Sequence, residues 1–202
     1  MRRVLALAAG LLLAGCVTAP LRVAAPVPLT YESRRPQLQA VSAFTLEGRL
    51  AAAVGQEGFN ASLDWAQQGR RSALNLRAPL GFGTAQVLRD GEHLSLKSSR
   101  GDHYDGTPAR EALARQLGFD PPLDSLRYWV LGVPDPALPA TETPDAAEHL
   151  AALEQDGWRV EFAEYRRYGE AALEAVLPRR LTLLREGIRL RLVIDRWTVA
   201  AP

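Results

Sequence analysis

The chain is poor in sulfur and imidazole, with one cysteine, one methionine and three histidines in 202 residues. Cys16 alone excludes an intramolecular disulfide. His93, His103 and His149 have no metal-ligand spacing to one another and no cysteine pair to assist them, so no metal centre is expected. There is no G-x-x-x-x-G-K-[ST] loop for a nucleotide and no G-x-S-x-G nucleophile elbow. Glu92-His93 and Glu148-His149 are adjacent pairs, and neighbours on a strand point to opposite faces. They read as solvated, as does "RGDHYDG", where Asp102 and Asp105 flank His103 in a turn-like stretch. The arginines scatter along strand outer faces and read as a solvated surface. Neither an enzyme nor a cofactor is expected.

Long hydrophobic runs are missing too. The N-terminal run Val4–Ala14 falls short of the roughly 20 residues that span a bilayer. It follows Arg2 and Arg3 and leads into Leu13-Ala14-Gly15-Cys16. A basic start, a short apolar core and small residues read as a signal peptide over residues 1–15. Its end resembles a bacterial lipobox, in which the cysteine becomes the lipid-modified first residue of the mature chain. Cys16 is therefore the expected lipid attachment point. Three acyl chains on such a cysteine exceed the two needed for stable anchoring. Val17 follows, where an aspartate would mark inner-membrane retention in many Gram-negative bacteria, so the outer membrane is expected, with the domain facing the periplasm. Formal charge is +1 for the whole chain. Losing Arg2 and Arg3 leaves 22 basic against 23 acidic side chains, a net −1. A near-neutral mature chain argues against nucleic acid.

Residues 16–35 are rich in Pro and Ala without a clear period, and read as a lipidated cysteine and flexible tether. The folded domain is expected over 36–202, with a short helix over Pro36–Ser42. From Phe44 the period is two. Phe44, Leu46, Gly48, Leu50 and Ala52 share a face; so do Phe59, Ala61, Leu63 and Trp65, then Leu74 and Leu76. Ala85–Leu88 and the strand through Leu94 and Leu96 flank an Asp-Gly hairpin turn. Short strands joined by tight turns predict an antiparallel meander with one oily face.

Two helices interrupt the strands. "TPAREALARQLGF" carries Thr107 as N-cap, Pro108 in the first turn and Gly118 at the end. "PPLDSLRYWVLGVP" places Leu123, Leu126, Val130 and Leu131 on an apolar side with Trp129 beside it. Asp135–Pro144 reads as irregular. Strands return at Trp158–Phe162, Leu181–Leu183 and Ile188–Ile194. The fold class is mainly β (α+β), a curved antiparallel sheet with helices on its oily face. The pattern leaves open whether the helices fill that concavity or roof a hollow.

"FTLEGRLA" (Phe44–Ala51), "APLGFGT" (Ala78–Thr84), "PLDSLRYWVLGVP" (Pro122–Pro134), "GWRVEFAEY" (Gly157–Tyr165) and "IRLRLVIDRW" (Ile188–Trp197) occur in an order that resembles the LolB family. These are the outer-membrane lipoprotein receptors of the Lol localisation pathway. The resemblance implies an incomplete antiparallel β-barrel with helices as a lid over an apolar cavity. It implies that the cavity takes lipoprotein acyl chains from LolA, the periplasmic carrier, and that they are placed in the outer membrane. It also implies a protruding apolar loop whose leucine corresponds to Leu80. Phe82 joins Leu80 as a membrane-insertion candidate on chemistry alone. An acyl chain needs a concave apolar site. Candidates to line it are Phe44, Leu46, Leu50, Leu63, Trp65, Leu74, Leu76, Leu126, Trp129, Val130 and Leu131. The alternative is an assembly lipoprotein whose core is filled and which carries no cargo. A monomer is expected.

Overall fold

The computed structural model describes residues 30–79, 83–168 and 175–199. It opens with α1 (Tyr31–Gln39). Strands β1 (Ala43–Val54), β2 (Glu57–Gln68), β3 (Arg71–Arg77), β4 (Thr84–Asp90), β5 (His93–Ser98) and β6 (His103–Asp105) follow as a meander. Next come α2 (Thr107–Leu117) and α3 (Leu123–Trp129). A second meander runs through β7 (Ala140–Pro144), β8 (Leu150–Gln155), β9 (Trp158–Tyr168), β10 (Ala175–Arg185) and β11 (Ile188–Val199).

All eleven strands form one open antiparallel sheet in the order β6-β5-β4-β3-β2-β1-β11-β10-β9-β8-β7. The two meanders join where β1 pairs with β11, with Leu50 opposite Leu192 and Ala52 opposite Leu190. A bulge interrupts this ladder between Glu47 and Gly48. A Cβ at Gly48 would lie 2.5 Å from the Val193 carbonyl oxygen, so the bulge requires glycine there. The alternation read from the sequence sets the faces. Phe44, Leu46 and Gly48 are buried while Thr45, Glu47 and Arg49 are exposed, and in β2 Ala61, Leu63 and Trp65 are buried. The inner face and the helices share a single apolar core.

Several elements differ from expectation. α1 begins at Tyr31 rather than near Pro36, which lies inside it. Tertiary contacts set this start. Tyr31 is buried, its hydroxyl donates to Glu142 and its backbone N–H donates to Glu148 at 3.2 Å. Arg35 meets Glu142 at 2.7 Å and Arg34 donates to the Glu148 carbonyl. The ordered body therefore reaches back into the stretch read as tether. Thr107 is the first residue of α2, not its cap; Gly106 holds the cap position, and Gly118 closes the helix in the left-handed conformation as expected. His103–Asp105 and Ala140–Pro144, read as turn and irregular chain, are edge strands. β8 gives no strand signal in the sequence because "LAALEQ" lacks strict alternation. His149 is not simply solvated: its ring stacks on Tyr165 at 4.5 Å. Burial first, then the Arg34 guanidinium, lowers its pKa, so the imidazole is neutral at pH 7.

One buried polar side chain ties α3 to the second meander. Gln155 accepts from the Trp129 indole N–H at 2.8 Å and from the Asp135 backbone N–H at 2.9 Å. Its amide donates to the carbonyls of Asp135 and Leu138 at 2.9 and 3.0 Å. Asp135 in turn accepts from Ser125. Removing such a hub leaves buried donors and acceptors unpaired at roughly 1–3 kcal/mol each, not fully additive. Gln155→Leu is expected to destabilise the domain by about 3 kcal/mol, visible as a lower urea midpoint with an unchanged slope.

Candidate functional site

The strand register brings the large apolar side chains of both meanders together. Across the inner face Leu63 lies opposite Leu76 and Trp65 opposite Leu74, with Leu74 opposite Val87. On the other side Leu50 meets Leu192, Leu192 meets Leu181 and Leu190 meets Leu183. These residues and Phe59 form a floor. Above it lie Leu113 and Leu117 of α2, Phe119 and Pro121 of the connecting turn, and Leu123 and Leu126 of α3. Floor and roof enclose a space of about 80 Å³, and every side chain around it is apolar.

No polar group there offers a water two to four hydrogen bonds, so the space stays dry. It can hold only a ligand that makes no hydrogen bonds where it touches the wall. Chemistry by proton transfer or nucleophilic attack has no group to act with inside it. Among the described residues no cluster of three or more His, Cys, Asp or Glu is placed to hold a metal ion. None of the described helices is long and apolar enough to cross a membrane.

Of the eleven residues expected to line a cavity, Leu50, Leu63, Trp65, Leu74, Leu76 and Leu126 do. Phe44, Leu46, Trp129, Val130 and Leu131 do not. They pack in the solid core beside it. Phe44 stands edge-on to Trp65 and Trp197 with ring centroids 5.4 and 5.2 Å apart. Trp129 is turned toward Gln155. Phe44 and Leu46 sit toward the start of β1, Val130 and Leu131 follow the end of α3, and all four are buried. The wall residues that sequence reading missed are Phe59 of β2, Val87 of β4, Leu123 of α3 and those of β10, β11, α2 and the α2–α3 turn. Their alternation marks Leu181, Leu183, Leu190 and Leu192 as one face, but nothing local shows that this face adjoins β1.

Cys16, Leu80 and Phe82 lie outside the described residues. The neck of the loop that holds Leu80 and Phe82 is described. Ala78 donates to the Gly83 carbonyl at 3.0 Å, and Thr84 donates to the Ser99 hydroxyl at 3.0 Å. Gly83 adopts φ 124°, which favours glycine there.

The family model described as outer membrane lipoprotein LolB matches residues 42–197, from the start of β1 into β11. The chain belongs to the LolB family. It is 34% identical to the outer-membrane lipoprotein LolB of Nitrosococcus oceani over 191 residues, covering 93% of this chain and 92% of the relative. The LolB of Ectopseudomonas mendocina is 36% identical over 191 residues, 92% and 91% of the two chains. Among solved structures, a LolA superfamily protein from Nitrosomonas europaea superposes with a TM-score of 0.52 at 9% identity, covering 86% of this chain and 95% of that one. A DUF1329 family protein from Desulfovibrio piger gives 0.55 at 7% identity, covering 85% and 92% of the two chains. These likenesses concern the fold, and they agree with the open, curved sheet. Membership in the LolB family places the protein at the outer membrane as a lipoprotein.

Enlarging the space tests the account of its wall. Leu113→Ala is expected to cost about 2–5 kcal/mol and to leave a dry apolar cavity that binds benzene. Saturating benzene should restore part of the lost urea stability, while the parent protein gains less.

Proposed function

We propose that this chain is a receptor that accepts lipoproteins from a LolA-like periplasmic carrier, holds their acyl chains under the α2–α3 roof and releases them into the outer membrane. The observation that carries this reading is the wholly apolar space between sheet and helices. Its wall has no nucleophile and no charge, and the one polar atom among its side chains, the Trp65 indole N–H, is bonded to Gln67, which suits a hydrocarbon and little else.

A space of about 80 Å³ is small beside three fatty acyl chains. A fatty acyl chain enters only if the roof lifts. The roof faces the floor with leucines, one phenylalanine and a proline. Such contacts are non-directional, so methylenes that replace Leu113, Leu117, Leu123 and Leu126 against the floor restore most of what separation removes. An acyl chain contributes about 0.8 kcal/mol per buried methylene, so three chains total tens of kcal/mol of gross burial. Release through water would be very slow. Direct handover avoids that step, and with no nucleotide loop in the sequence the direction of transfer follows relative affinity. Lipid attached at Cys16 would keep the receptor at its destination.

The smallness of the space favours a second reading, in which the core is filled and the domain scaffolds other envelope proteins. A transfer experiment separates the two. A LolA-like carrier loaded with fluorescent lipoprotein is mixed with this domain, and liposomes are then added. The receptor reading expects label to move to the domain and then to the liposomes. Label that stays on the carrier overturns it and leaves the scaffold.

The loop that holds Leu80 and Phe82 supplies a second test. An apolar loop on a tethered domain can enter a bilayer interface. Leu80→Glu is expected to leave uptake from the carrier within about twofold and to slow delivery into liposomes at least tenfold. Unchanged delivery removes the loop from the mechanism.

A further inference from the structure

The apolar space does not end in a wall of hydrocarbon. Pro121 and Leu123, which form part of its roof, also line a second groove of about 400 Å³ that is polar. This groove draws on both meanders. One side comes from β4 and β5, the other from the β8–β9 turn and β10, and the α2–α3 turn crosses between them.

The groove contains three arginines and three aspartates, and its charges are largely spent internally. Arg89 pairs with Asp124. Arg110 meets Asp120 at 3.6 Å. Arg185 lies over the Trp158 ring at 5.6 Å, with Asp156 as the remaining acid. A groove balanced in this way gives a charged ligand little net attraction and keeps hydrogen-bonding capacity for a neutral one.

Trp158 stands at the junction. Its ring meets Phe119, which roofs the apolar space, with centroids 5.8 Å apart. Trp158 is only 1% exposed and its indole N–H has no hydrogen-bond partner. Three other buried side-chain nitrogens among the described residues share that condition, but none of them belongs to this groove. A buried donor left without a partner is costly and calls for an explanation.

The geometry points to a subsite for the uncharged head of the cargo lipid, the ester and amide carbonyls that join acyl chains to a modified cysteine, with the Trp158 indole N–H as a donor to one of them. This inference rests on the receptor reading and names the part of the ligand that the apolar space cannot hold. The chains lie between floor and roof, and the linkage emerges at Pro121 and Leu123. The protein part of the cargo leaves through the gap between the two arms of the sheet.

The test uses the mature chain with Cys16→Ser, so that no anchor competes for the cavity. The whole described core lies between Tyr31 and Ile194, so this form keeps it. Three ligands are titrated: a synthetic tripalmitoyl-cysteinyl peptide, diphenylhexatriene as an apolar molecule without carbonyls, and a palmitoyl lysophospholipid. Trp158→Phe keeps the ring and removes the donor. It is expected to weaken the lipopeptide by about five- to tenfold, the loss of one hydrogen bond, and to leave the other two ligands unchanged. Arg185→Gln, an exposed position, gives a smaller loss in the same direction and serves if Trp158→Phe does not fold. Equal weakening of lipopeptide and diphenylhexatriene makes Trp158 a packing residue and overturns the inference. Equal weakening of lipopeptide and lysophospholipid reassigns the donor to glyceryl esters in general and overturns the lipoprotein assignment. No weakening with either variant also overturns it. If the parent protein binds diphenylhexatriene but not the lipopeptide, the head subsite fails while the apolar cavity stands. If it binds neither, the receptor reading fails and takes the subsite with it.

Discussion

The ladder between β1 and β11 is the constraint on which the other features rest. Each meander alone would bury one oily face against helices too few to cover it. Pairing Phe44–Val54 with Ile188–Val199 makes one sheet of the two. It also sets leucines from opposite ends of the chain side by side, Leu50 beside Leu192 and Leu192 beside Leu181. The floor of the cavity is a product of that register. A shift of one residue would turn it to solvent. Gly48 marks how tightly the ladder is made, since no side chain fits between its backbone and that of Val193.

Long alternating strands are legible in the sequence, because burial on one face imposes a period of two on the residues themselves. That signal alone puts Leu63, Trp65, Leu74 and Leu76 on the cavity side. Helix α2 is legible from Pro108 and Gly118, whose backbone preferences are local. The short edge strands are not. His103–Asp105 has three exposed residues, and Ala140–Pro144 has little burial to impose a pattern. The start of α1 is hidden for a different reason. Tyr31 is held by Glu142 and Glu148, more than a hundred positions away, and no local rule anticipates them. The same distinction separates the candidates that surround the apolar space from those that do not. Phe44 and Trp129 are as apolar as their neighbours, and only tertiary contacts, with the Trp65 ring for one and Gln155 for the other, set them in the core.

The roof and the floor meet through apolar surface, while the ends of the roof are held by polar groups. Gln155 and Asp135 fix the C-terminal side of α3 to the second meander. At its other side Arg110 meets Asp120 through side chains that both face water, while Arg89, itself nearly buried, pairs with exposed Asp124. Buried hydrogen bonds are expensive to break and exposed ion pairs are not. The firmest attachment is therefore the Gln155 network at the C-terminal end of α3, and the Asp120 side of the α2–α3 turn is held more lightly.

A sheet that stays open keeps two unpaired borders, β6 and β7. Free strand edges are templates for pairing with other chains, and aggregation starts there. Both borders here are blunted. β6 is only three residues long and carries His103 and Asp105. β7 ends at Pro144, and its Glu142 is gripped by Tyr31 and Arg35 of α1. A closed barrel would have had no such edges to protect, but it would have had no gap either. Helix α1 thus does more than begin the described domain: it guards one border of a sheet that stays open.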